Sequence, residues 1–372
     1  MIVGIPAEIK DNENRIAMVP GGVHELVERG HTVLVQHGGG LGSGFSDDDY
    51  RAAGAEIVAA APDIFKRANM IIKVKEPQEA EYRMMRGDQL VFTYFHFAAD
   101  ETLTRGCMES GATCIAYETI EDANGHLPLL TPMSEVAGRM AVQVGAHFLQ
   151  NPEGGRGVLL SGVPGVPASV VVIVGAGVVG TQACWMAAGL GARVTILDID
   201  LDRLRYLDDI MPANVTTLAS NPHNIRAACA RADLLVGAVL IEGAKAPTLV
   251  PRTYLADMKD GSVIVDVAVD QGGCVETSKP TTHSSPTYVV DGVLHYCVAN
   301  MPGAVPRTST YALTNATLPY AIRLADGGLD VVRGEPGFAT GINVSAGKIT
   351  HKAVAAAFGL DYTPVKDVLG GS

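Results

Sequence analysis

The sequence predicts an α/β protein with two doubly wound domains, each built on a mainly parallel sheet, that are separated by a cleft. Short apolar strands alternate with helical segments in two successive runs along the chain. A glycine-rich turn also follows one apolar strand and opens a helix, as in many parallel sheets. With 372 residues, of which 47% are hydrophobic, the chain has enough apolar material to cover both faces of two sheets.

The first run of alternation covers the N-terminal third of the chain. Its predicted strands are Ile2–Glu8, Thr32–His37, Met70–Lys75, Gln89–Phe95 and Thr113–Glu118. Its predicted helices are Gly22–Arg29, Asp47–Ala53, Asp63–Ala68 and Glu101–Ser110. The second run has predicted strands Val170–Val174, Arg193–Asp198, Val215–Leu218, Asp233–Ala238 and Ser262–Val267. Strands of this length between helices indicate βαβ units, and hence parallel pairing.

Two further helices bracket the second run. One begins near Thr131, with Pro132 at the first helical position, where a missing N–H costs nothing. The other begins near Thr308, after Pro302 and Pro306. These helices are expected to form the hinge region between the domains.

Composition excludes several classes of partner and site. The net charge is −12 and Lys and Arg form no basic stripe, so nucleic acid is not an expected partner. The six cysteines form no C-x-x-C pair, and we expect buried, reduced thiols and no metal site; they are Cys107, Cys114, Cys184, Cys229, Cys274 and Cys297.

Targeting and membrane signals are also not expected. The N-terminal residues show no basic region followed by an apolar core, so we expect no signal peptide and a cytoplasmic location. Residues 157–192 carry no charge, but Pro164, Pro167 and several glycines interrupt them. The continuous apolar piece Val170–Val174 fits a buried strand and is too short to span a membrane.

A dinucleotide site is predicted at the glycine-rich turn. Gly175, Gly177 and Gly180 form G-x-G-x-x-G directly after the strand Val170–Val174, and the next strand ends on Asp198. The first glycine permits a tight turn, the second admits the pyrophosphate, and the third allows close packing of helix and strand. An acidic residue at the position of Asp198 binds ribose hydroxyls and repels a 2′-phosphate, which favours NAD over NADP. The pattern therefore predicts a Rossmann-like domain, with a glycine-rich turn in an α/β core as the structural alternative.

Four polar residues follow predicted strands or lie in loops at the carboxyl edge, where ligands bind in open α/β sheets. They are Arg15, Lys75, His96 and Asp270. Arginine binds a carboxylate with a bidentate fork, lysine polarises a carbonyl, and histidine transfers protons near neutral pH. A carboxylate such as Asp270 can orient ammonia or water, or stabilise an iminium.

Each of these residues also has a purely structural interpretation. Arg15 lies in a polar loop and could be a solvated surface charge. Lys75 could pair with Glu76 or Glu79, His96 could be a hydrogen-bonded core histidine, and Asp270 could be a turn residue. Glu8 and Glu118 end strands as well, so position alone does not distinguish the four.

With these residues located, the sequence resembles the bacterial alanine dehydrogenase family from end to end, within the wider group that includes pyridine nucleotide transhydrogenases. The matching stretches are residues 4–15, Lys73–Pro77, Phe95-His96, Pro132–Arg139, Gly175–Gly180, Asp266–Gly273, Tyr296–Pro302 and Thr308–Ala316. The resemblance implies reversible NAD-dependent oxidative deamination of L-alanine to pyruvate and ammonia.

The resemblance also implies roles for individual residues. Arg15 and Lys75 would bind substrate, and His96 and Asp270 would be catalytic. Contacts to NAD are implied for Ser134, Val178, Val179, Asp198, Arg203, Ser220, Val239, Leu240, Val267, Asp270, Lys279, Val298, Asn300 and Met301, besides the three glycines. It further implies a discontinuous substrate domain of residues 1–130 plus 306–372, an NAD domain of residues 131–305, and a homohexamer.

Two alternative functions remain open at this point. One is the soluble NAD-binding module of a proton-translocating transhydrogenase, which exchanges hydride with a second nucleotide-binding component. The other is an opine- or saccharopine-type dehydrogenase, which accepts a larger amine in place of ammonia. The presence of Arg15, Lys75, His96 and Asp270 together favours the alanine dehydrogenase type.

Overall fold

A computed structural model describes residues 1–239 and 246–370. Its strands are β1 (Ile2–Ile5), β2 (Thr32–Gln36), β3 (Glu56–Val58), β4 (Met70–Ile72), β5 (Leu90–Thr93), β6 (Thr113–Ala116), β7 (Val170–Val174), β8 (Arg193–Asp198), β9 (Val215–Ala219), β10 (Leu234–Gly237), β11 (Val263–Asp266), β12 (Thr287–Val290), β13 (Val293–Tyr296), β14 (Ile342–Ser345) and β15 (Lys348–Ile349).

Its helices are α1 (Pro20–Glu28), α2 (Asp47–Ala52), α3 (Ala61–Arg67), α4 (Glu79–Tyr82), α5 (Glu101–Ser110), α6 (Thr131–Phe148), α7 (Val178–Gly189), α8 (Leu201–Ile210), α9 (Pro222–Cys229), α10 (Arg252–Leu255), α11 (Pro306–Gly327), α12 (Asp330–Arg333), α13 (Pro336–Ala339), α14 (Lys352–Phe358) and α15 (Val365–Val368). Within the described residues, no helix is both long enough and apolar enough to cross a membrane.

The chain divides into two compact units. The first unit comprises Met1–Met133 and the C-terminal segment from Val305, and the second comprises Ser134–Ala304. In the part of the chain that the structure describes, each unit contains one sheet, so both units have the layered α/β architecture.

The sheet of the first unit has eight strands among the described residues, in the order β15-β14-β6-β5-β4-β1-β2-β3. Strands β1 to β6 pair in parallel, while β14 and β15 add an antiparallel edge. The parallel part has the doubly wound order 3-2-1-4-5-6, whose switch point lies between β1 and β4. The loops after β1 and β4 therefore occupy the position where such sheets bind ligands.

Packing in the first unit explains why these strands are almost entirely apolar. Strands β4 and β5 lie in the middle of the sheet and are buried along their whole length. Ile71, Val91 and Phe95 belong to a core that also includes residues of α3 and α5. Both faces are covered, so a parallel strand here shows no alternation of polar and apolar residues.

The sheet of the second unit has seven strands in the part of the chain that is described, in the order β12-β13-β11-β10-β7-β8-β9. All pairs are parallel except β12 with β13. The parallel strands again have the doubly wound order, and the switch point lies between β7 and β10. The fold class predicted from the sequence is confirmed, including sheets that are mainly parallel.

Several predicted boundaries are wrong in detail. The strands predicted to end on Glu8, Lys75, Phe95 and Glu118 end three, three, two and two residues earlier, respectively. These residues therefore lie in loops beyond the sheet edge. The later helix, predicted to begin near Thr308, begins two residues earlier at Pro306, which occupies the first helical position. Strands β3, β12, β13, β14 and β15 were not predicted.

The expectation of buried thiols is confirmed for all six cysteines, which are buried and free of disulfides. Burial raises the pKa of Cys184 to about 12 and that of Cys229 to about 12. Thiols with such pKa values are protonated near neutral pH and are poor nucleophiles.

Candidate active site

The glycine-rich turn of the second unit has a geometry that only glycine permits at two of its three positions. Gly175 has φ +102°, and a Cβ there would lie 2.7 Å from the Ala238 carbonyl oxygen. A Cβ on Gly180 would lie 1.8 Å from the Gly175 carbonyl oxygen. The third glycine therefore lets α7 pack directly against the turn that follows β7.

Gly177 has a different role from the other two glycines. It is the N-cap of α7, and a Cβ there would meet nothing within 4 Å. Helix α7 has 12 residues and no charged residue in its first turn. Its free N–H groups and the positive end of its dipole can therefore hold an anionic group close to the backbone. The residues present at this turn fit the pyrophosphate of a dinucleotide.

Asp198, at the end of β8, is linked to the same turn. Its carboxylate accepts hydrogen bonds from the Ala176 N–H (2.6 Å) and the Asp200 N–H (2.9 Å). Arg203 Nε donates to the Ala176 carbonyl oxygen (2.8 Å), and its Nη2 donates to Thr181 Oγ1 (2.7 Å). The negatively charged Asp198 thus binds the N–H of Ala176, and the positively charged Arg203 binds its carbonyl oxygen. Asp198 is half-buried at the sheet edge where a ribose would bind.

The other residues implied in cofactor binding mostly follow strands of the same sheet. They are Val178 and Val179 after β7, Ser220 after β9, Val239 after β10, Val267 and Asp270 after β11, and Val298, Asn300 and Met301 after β13. Because parallel strands share one carboxyl edge, these residues lie along a single rim of the second unit. Ser134 lies instead on α6, and Leu240 is outside the described residues.

Lys279 is a further implied contact that does not directly follow a strand of the parallel sheet. It is exposed in the loop before β12, and its backbone N–H donates to the Tyr288 hydroxyl (2.7 Å). Its ammonium lies 5.3 Å from the centre of the Tyr288 ring, a cation–π distance.

The loop that carries Asp270 is organised by Asp266, which sequence analysis did not single out. Asp266 is fully buried at the end of β11 and accepts hydrogen bonds from Ala268 N–H (3.1 Å), Val275 N–H (3.1 Å) and Ser278 Oγ (2.6 Å). Burial raises its pKa in spite of these bonds. Asp270 itself is exposed in the 3-10 helix Val267–Gln271.

Arg15 in the first unit is buried, so its interpretation as a solvated surface charge is wrong. Only 2% of the residue is exposed. Its Nε and Nη2 donate to the two carboxylate oxygens of Glu13 (2.7 and 2.5 Å), and its Nη1 donates to Met133 Sδ (3.1 Å). The bidentate contact with Glu13 fixes the orientation of this buried guanidinium.

Lys75 lies just beyond β4 and is half-buried. Its carbonyl oxygen accepts a hydrogen bond from Thr93 Oγ1 (3.0 Å). Burial acts to raise the pKa of the neighbouring Glu76, but the positive charges of Lys75 and Lys10 outweigh it and the pKa is lowered. Of the two acidic residues offered as structural partners of Lys75, Glu76 forms a salt bridge with Lys10 and Glu79 forms one with Arg83 (2.5 Å).

His96 follows β5 and is exposed, so its interpretation as a core histidine is wrong. It has a left-handed backbone (φ 52°, ψ 38°), which is uncommon for residues other than glycine, although histidine, asparagine and aspartate adopt it more often than most. Its N–H donates to Glu118 Oε1 (2.6 Å), and its ring stacks on Tyr94 with centroids 5.9 Å apart. Glu118 thus holds the backbone that presents the imidazole at the sheet edge.

Tyr94 links His96 with the neighbourhood of Arg15 inside the first unit. It is buried, and its hydroxyl donates to the Leu129 carbonyl oxygen (2.5 Å). Burial raises its pKa, and the positive charge of Arg15 acts in the opposite sense. The first unit therefore brings an oriented guanidinium, a buried phenol and an exposed imidazole to one region of its edge.

Within the described residues, no cluster of His, Cys, Asp and Glu could hold a metal ion.

Two alanine substitutions separate the structural and binding roles of the glycines. We expect Gly180→Ala to destabilise the protein by about 1–3 kcal/mol, because the new methyl overlaps the Gly175 carbonyl. We expect Gly177→Ala to change stability by no more than about 0.5 kcal/mol, yet to weaken NADH binding roughly tenfold, because the methyl occupies the path of the pyrophosphate. Thermal melts and NADH fluorescence titrations measure both effects. Unchanged NADH affinity in Gly177→Ala would exclude this turn as the site.

Comparison with known proteins places this geometry in a family. The model for "Alanine dehydrogenase/PNT, N-terminal domain" matches residues 4–137, and the model for "Alanine dehydrogenase/PNT, C-terminal domain" matches residues 141–352. The alanine dehydrogenase of Halomonas elongata is 55% identical over 371 residues, covering 100% of both chains. The alanine dehydrogenase of Bacillus subtilis is also 55% identical, covering 99% of this chain and 98% of its own.

A solved structure agrees with the sequence relatives. An L-alanine dehydrogenase structure has a TM-score of 0.94 and 54% identity, covering 96% of this chain and 99% of its own. Together these matches show that the chain belongs to the alanine dehydrogenase/PNT family.

Proposed function

We propose that this protein catalyses the reversible, NAD-dependent oxidative deamination of L-alanine to pyruvate and ammonia. It is an oxidoreductase that acts on an amino acid. The observation that carries the proposal is 55% identity, over the full length, to proteins named alanine dehydrogenase. The presence of Arg15, Lys75, His96 and Asp270 supports the same chemistry, because these four side chains match its steps one by one.

Arg15 and Lys75 bind the substrate in this proposal. Glu13 already engages one side of the Arg15 guanidinium through Nε and Nη2, which fixes the plane of the fork. A guanidinium held in this way recognises a planar carboxylate with little loss of side-chain entropy. Lys75 adds a positive charge that neutralises the substrate carboxylate or polarises the pyruvate carbonyl.

His96 and Asp270 move or stabilise charge during the reaction. When NAD⁺ is bound, its nicotinamide ring supplies the hydride acceptor for the alanine Cα–H. His96 takes a proton from the water that adds to the resulting iminopyruvate, and it returns that proton to nitrogen as ammonia leaves. Asp270 stabilises the positive charge on the iminium and orients the attacking water. Exclusion of bulk water would protect the imine from uncontrolled hydrolysis.

A transhydrogenase module is the principal alternative. A solved transhydrogenase structure from Sinorhizobium meliloti has a TM-score of 0.82, but only 27% identity, over 95% of this chain and 100% of its own. The identity to alanine dehydrogenases is twice as high. No observation on the structure favours an opine- or saccharopine-type dehydrogenase.

The deciding experiment follows NADH oxidation in the presence of pyruvate, with and without ammonium. An alanine dehydrogenase oxidises NADH only when both are present and forms alanine. Ammonium-independent transfer of hydride to a second nucleotide would support the transhydrogenase alternative, and activity with a bulky amine in place of ammonium would support the opine type. A homohexameric assembly and a cytoplasmic location belong to the same proposal.

Cofactor choice is proposed to depend on Asp198. We expect Asp198→Ala to narrow the preference for NADH over NADPH, because it removes a negative charge beside Arg203, whose guanidinium could then pair with a 2′-phosphate. The ratio of kcat/KM for the two cofactors is the measurement. Asp202→Ala, which removes an exposed acidic residue of α8, is the control and should leave the ratio unchanged. Equal activity of the unaltered protein with both cofactors would contradict this role.

A further inference from the structure

Lys73, two residues before Lys75, forms a buried group of three charges with Glu8 and Glu81. The proposed reaction uses none of these three side chains. Lys73 Nζ contacts Glu8 Oε2 (3.1 Å) and Glu81 Oε1 (2.7 Å). The Lys73 side chain is fully buried, and each carboxylate side chain is 2% exposed. Burial acts to lower the pKa of Lys73, but the two carboxylates outweigh it and the pKa is raised, so the lysine keeps its charge.

The two carboxylates differ in what else they bind. Glu8 Oε1 also accepts a hydrogen bond from the Val74 backbone N–H (2.6 Å), which comes directly before Lys75. Glu81 Oε2 accepts from the Gln78 N–H (2.9 Å) at the start of α4. Of the two, only Glu8 therefore binds the backbone of the residue directly before Lys75, whereas Glu81 binds the backbone three residues after it.

The topology explains why Val74 needs a side-chain partner. Strands β1 and β4 pair through Val3 with Met70 and Gly4 with Ile71, and the pairing then stops at the switch point. Beyond it, the Glu8 carboxylate takes the place of the missing strand partner of Val74. On the other side, Tyr94 N–H donates to the Val74 carbonyl oxygen (3.3 Å). The residue before Lys75 is thus held by residues that follow the two neighbouring strands, β1 and β5.

We infer that Glu8 is a positioning residue for substrate binding: by binding Val74 and Lys73, it sets the backbone from which Lys75 reaches the substrate. The inference rests on the proposed function, in which Lys75 binds the carboxylate or carbonyl of the substrate. Buried ion pairs contribute little net stability to a protein. We therefore attribute to this buried group, at an edge where ligands bind, the role of positioning the backbone next to it. Small misplacement of a substrate-binding group is enough to weaken binding greatly.

The test compares variants of the two carboxylates. Glu8→Leu removes the acceptor for Val74, and we expect KM for pyruvate and for alanine to rise by about tenfold or more. Glu8→Gln keeps an acceptor oxygen, and the rise should be about threefold or less. Glu81→Gln disturbs the same lysine but not Val74, and KM should stay within about twofold of the unaltered protein. The Kd for NADH should stay unchanged in all three.

A second control lies in the other unit. The buried carboxylate of Asp233 likewise accepts hydrogen bonds from a lysine (Lys259 Nζ, 2.8 Å) and from a backbone N–H (Val170, 2.8 Å). It precedes β10, at the edge opposite to the proposed cofactor rim, so Asp233→Asn should lower stability without changing KM for pyruvate. Comparing Glu8→Leu with Asp233→Asn therefore separates a specific rise in KM for pyruvate from a general loss of stability.

Three outcomes would contradict the roles given to Glu8 and Lys75. If Glu8→Leu leaves KM for pyruvate as low as Glu81→Gln does, or weakens NADH binding equally, Glu8 is a structural residue only. If Glu8→Leu fails to fold, the triple variant Glu8→Leu, Lys73→Met, Glu81→Gln removes all three buried charges, and an unchanged KM would contradict the inference. Lys75→Ala distinguishes the two proposals: if it leaves KM unchanged, the proposed substrate site itself is wrong.

Discussion

Replacing His96 is expected to lower turnover by about 10²–10⁴-fold while NADH affinity stays nearly unchanged. The side chain would carry the proton between water and nitrogen, and it is exposed at the edge of the first unit, where its ring stacks on that of Tyr94. Histidine titrates near neutral pH, so the corresponding limb of the pH–rate profile should flatten in the variant.

The backbone of His96 decides which substitution is informative. Alanine in a left-handed conformation costs about 1–2 kcal/mol, so His96→Ala would mix strain with loss of the imidazole. His96→Asn avoids this, because asparagine tolerates the left-handed region. The control is His126→Asn, an exposed histidine of the same unit that contacts Asp122, and it should turn over normally.

Three measurements on the same samples distinguish a proton-carrying His96 from a purely structural one. They are the melting temperature, the affinity for NADH and the rate of single-turnover hydride transfer. A stable variant that binds NADH but turns over slowly supports proton transfer. A less stable variant with normal turnover would leave the mechanism without its proton carrier. Asp270→Asn, which keeps the size of an exposed side chain but removes its charge, should also lower turnover without unfolding the protein.

Local sequence signals predicted the dinucleotide half of the fold well. Strands β7 and β8 have the predicted bounds, and the glycine spacing between them is explained by contacts that a Cβ would make. These features depend on residues close together in sequence. The parallel strands of the second unit have the doubly wound order that is typical of sheets with a G-x-G-x-x-G turn. One local motif therefore indicated most of the sheet of this unit.

The unpredicted hairpins differ in how much signal they contain. Strands β12 and β13 are joined by Asp291-Gly292, both with positive φ, and Asp-Gly between apolar residues is a strong hairpin signal. Strands β14 and β15 are joined by Ala346-Gly347, also with positive φ. Alanine rarely adopts that conformation, so the second hairpin was not readable from local sequence.

The candidate site shows what local sequence cannot supply. Glu8 lies 66 positions from Val74, and Glu118 lies 22 positions from His96, so neither contact has a sequence pattern. Arg15 lies in a polar stretch of the sequence, and its buried guanidinium contacts Met133, which is 118 positions away. The residue types suggested the chemistry, but their supporting contacts required the folded chain.

Removal of the Arg15 guanidinium is expected to raise KM for pyruvate and alanine strongly while NADH binding remains nearly intact. Loss of a charge-assisted bidentate contact in a water-excluded site costs about 2–5 kcal/mol, which corresponds to a KM roughly 30-fold to several thousand-fold higher. NADH should be unaffected, because Arg15 lies in the first unit and the glycine-rich turn lies in the second.

The buried contact with Glu13 determines how this prediction must be tested. Arg15→Ala alone would leave the Glu13 carboxylate, whose side chain is fully buried, without its guanidinium, and would destabilise the protein by about 3–5 kcal/mol. The double variant Arg15→Met, Glu13→Gln removes both charges and avoids that penalty. Arg15→Lys keeps one charge but loses the fork, so it should show an intermediate KM. If the folded double variant keeps a near-normal KM for both substrates, the buried pair serves the fold alone and the carboxylate is bound elsewhere.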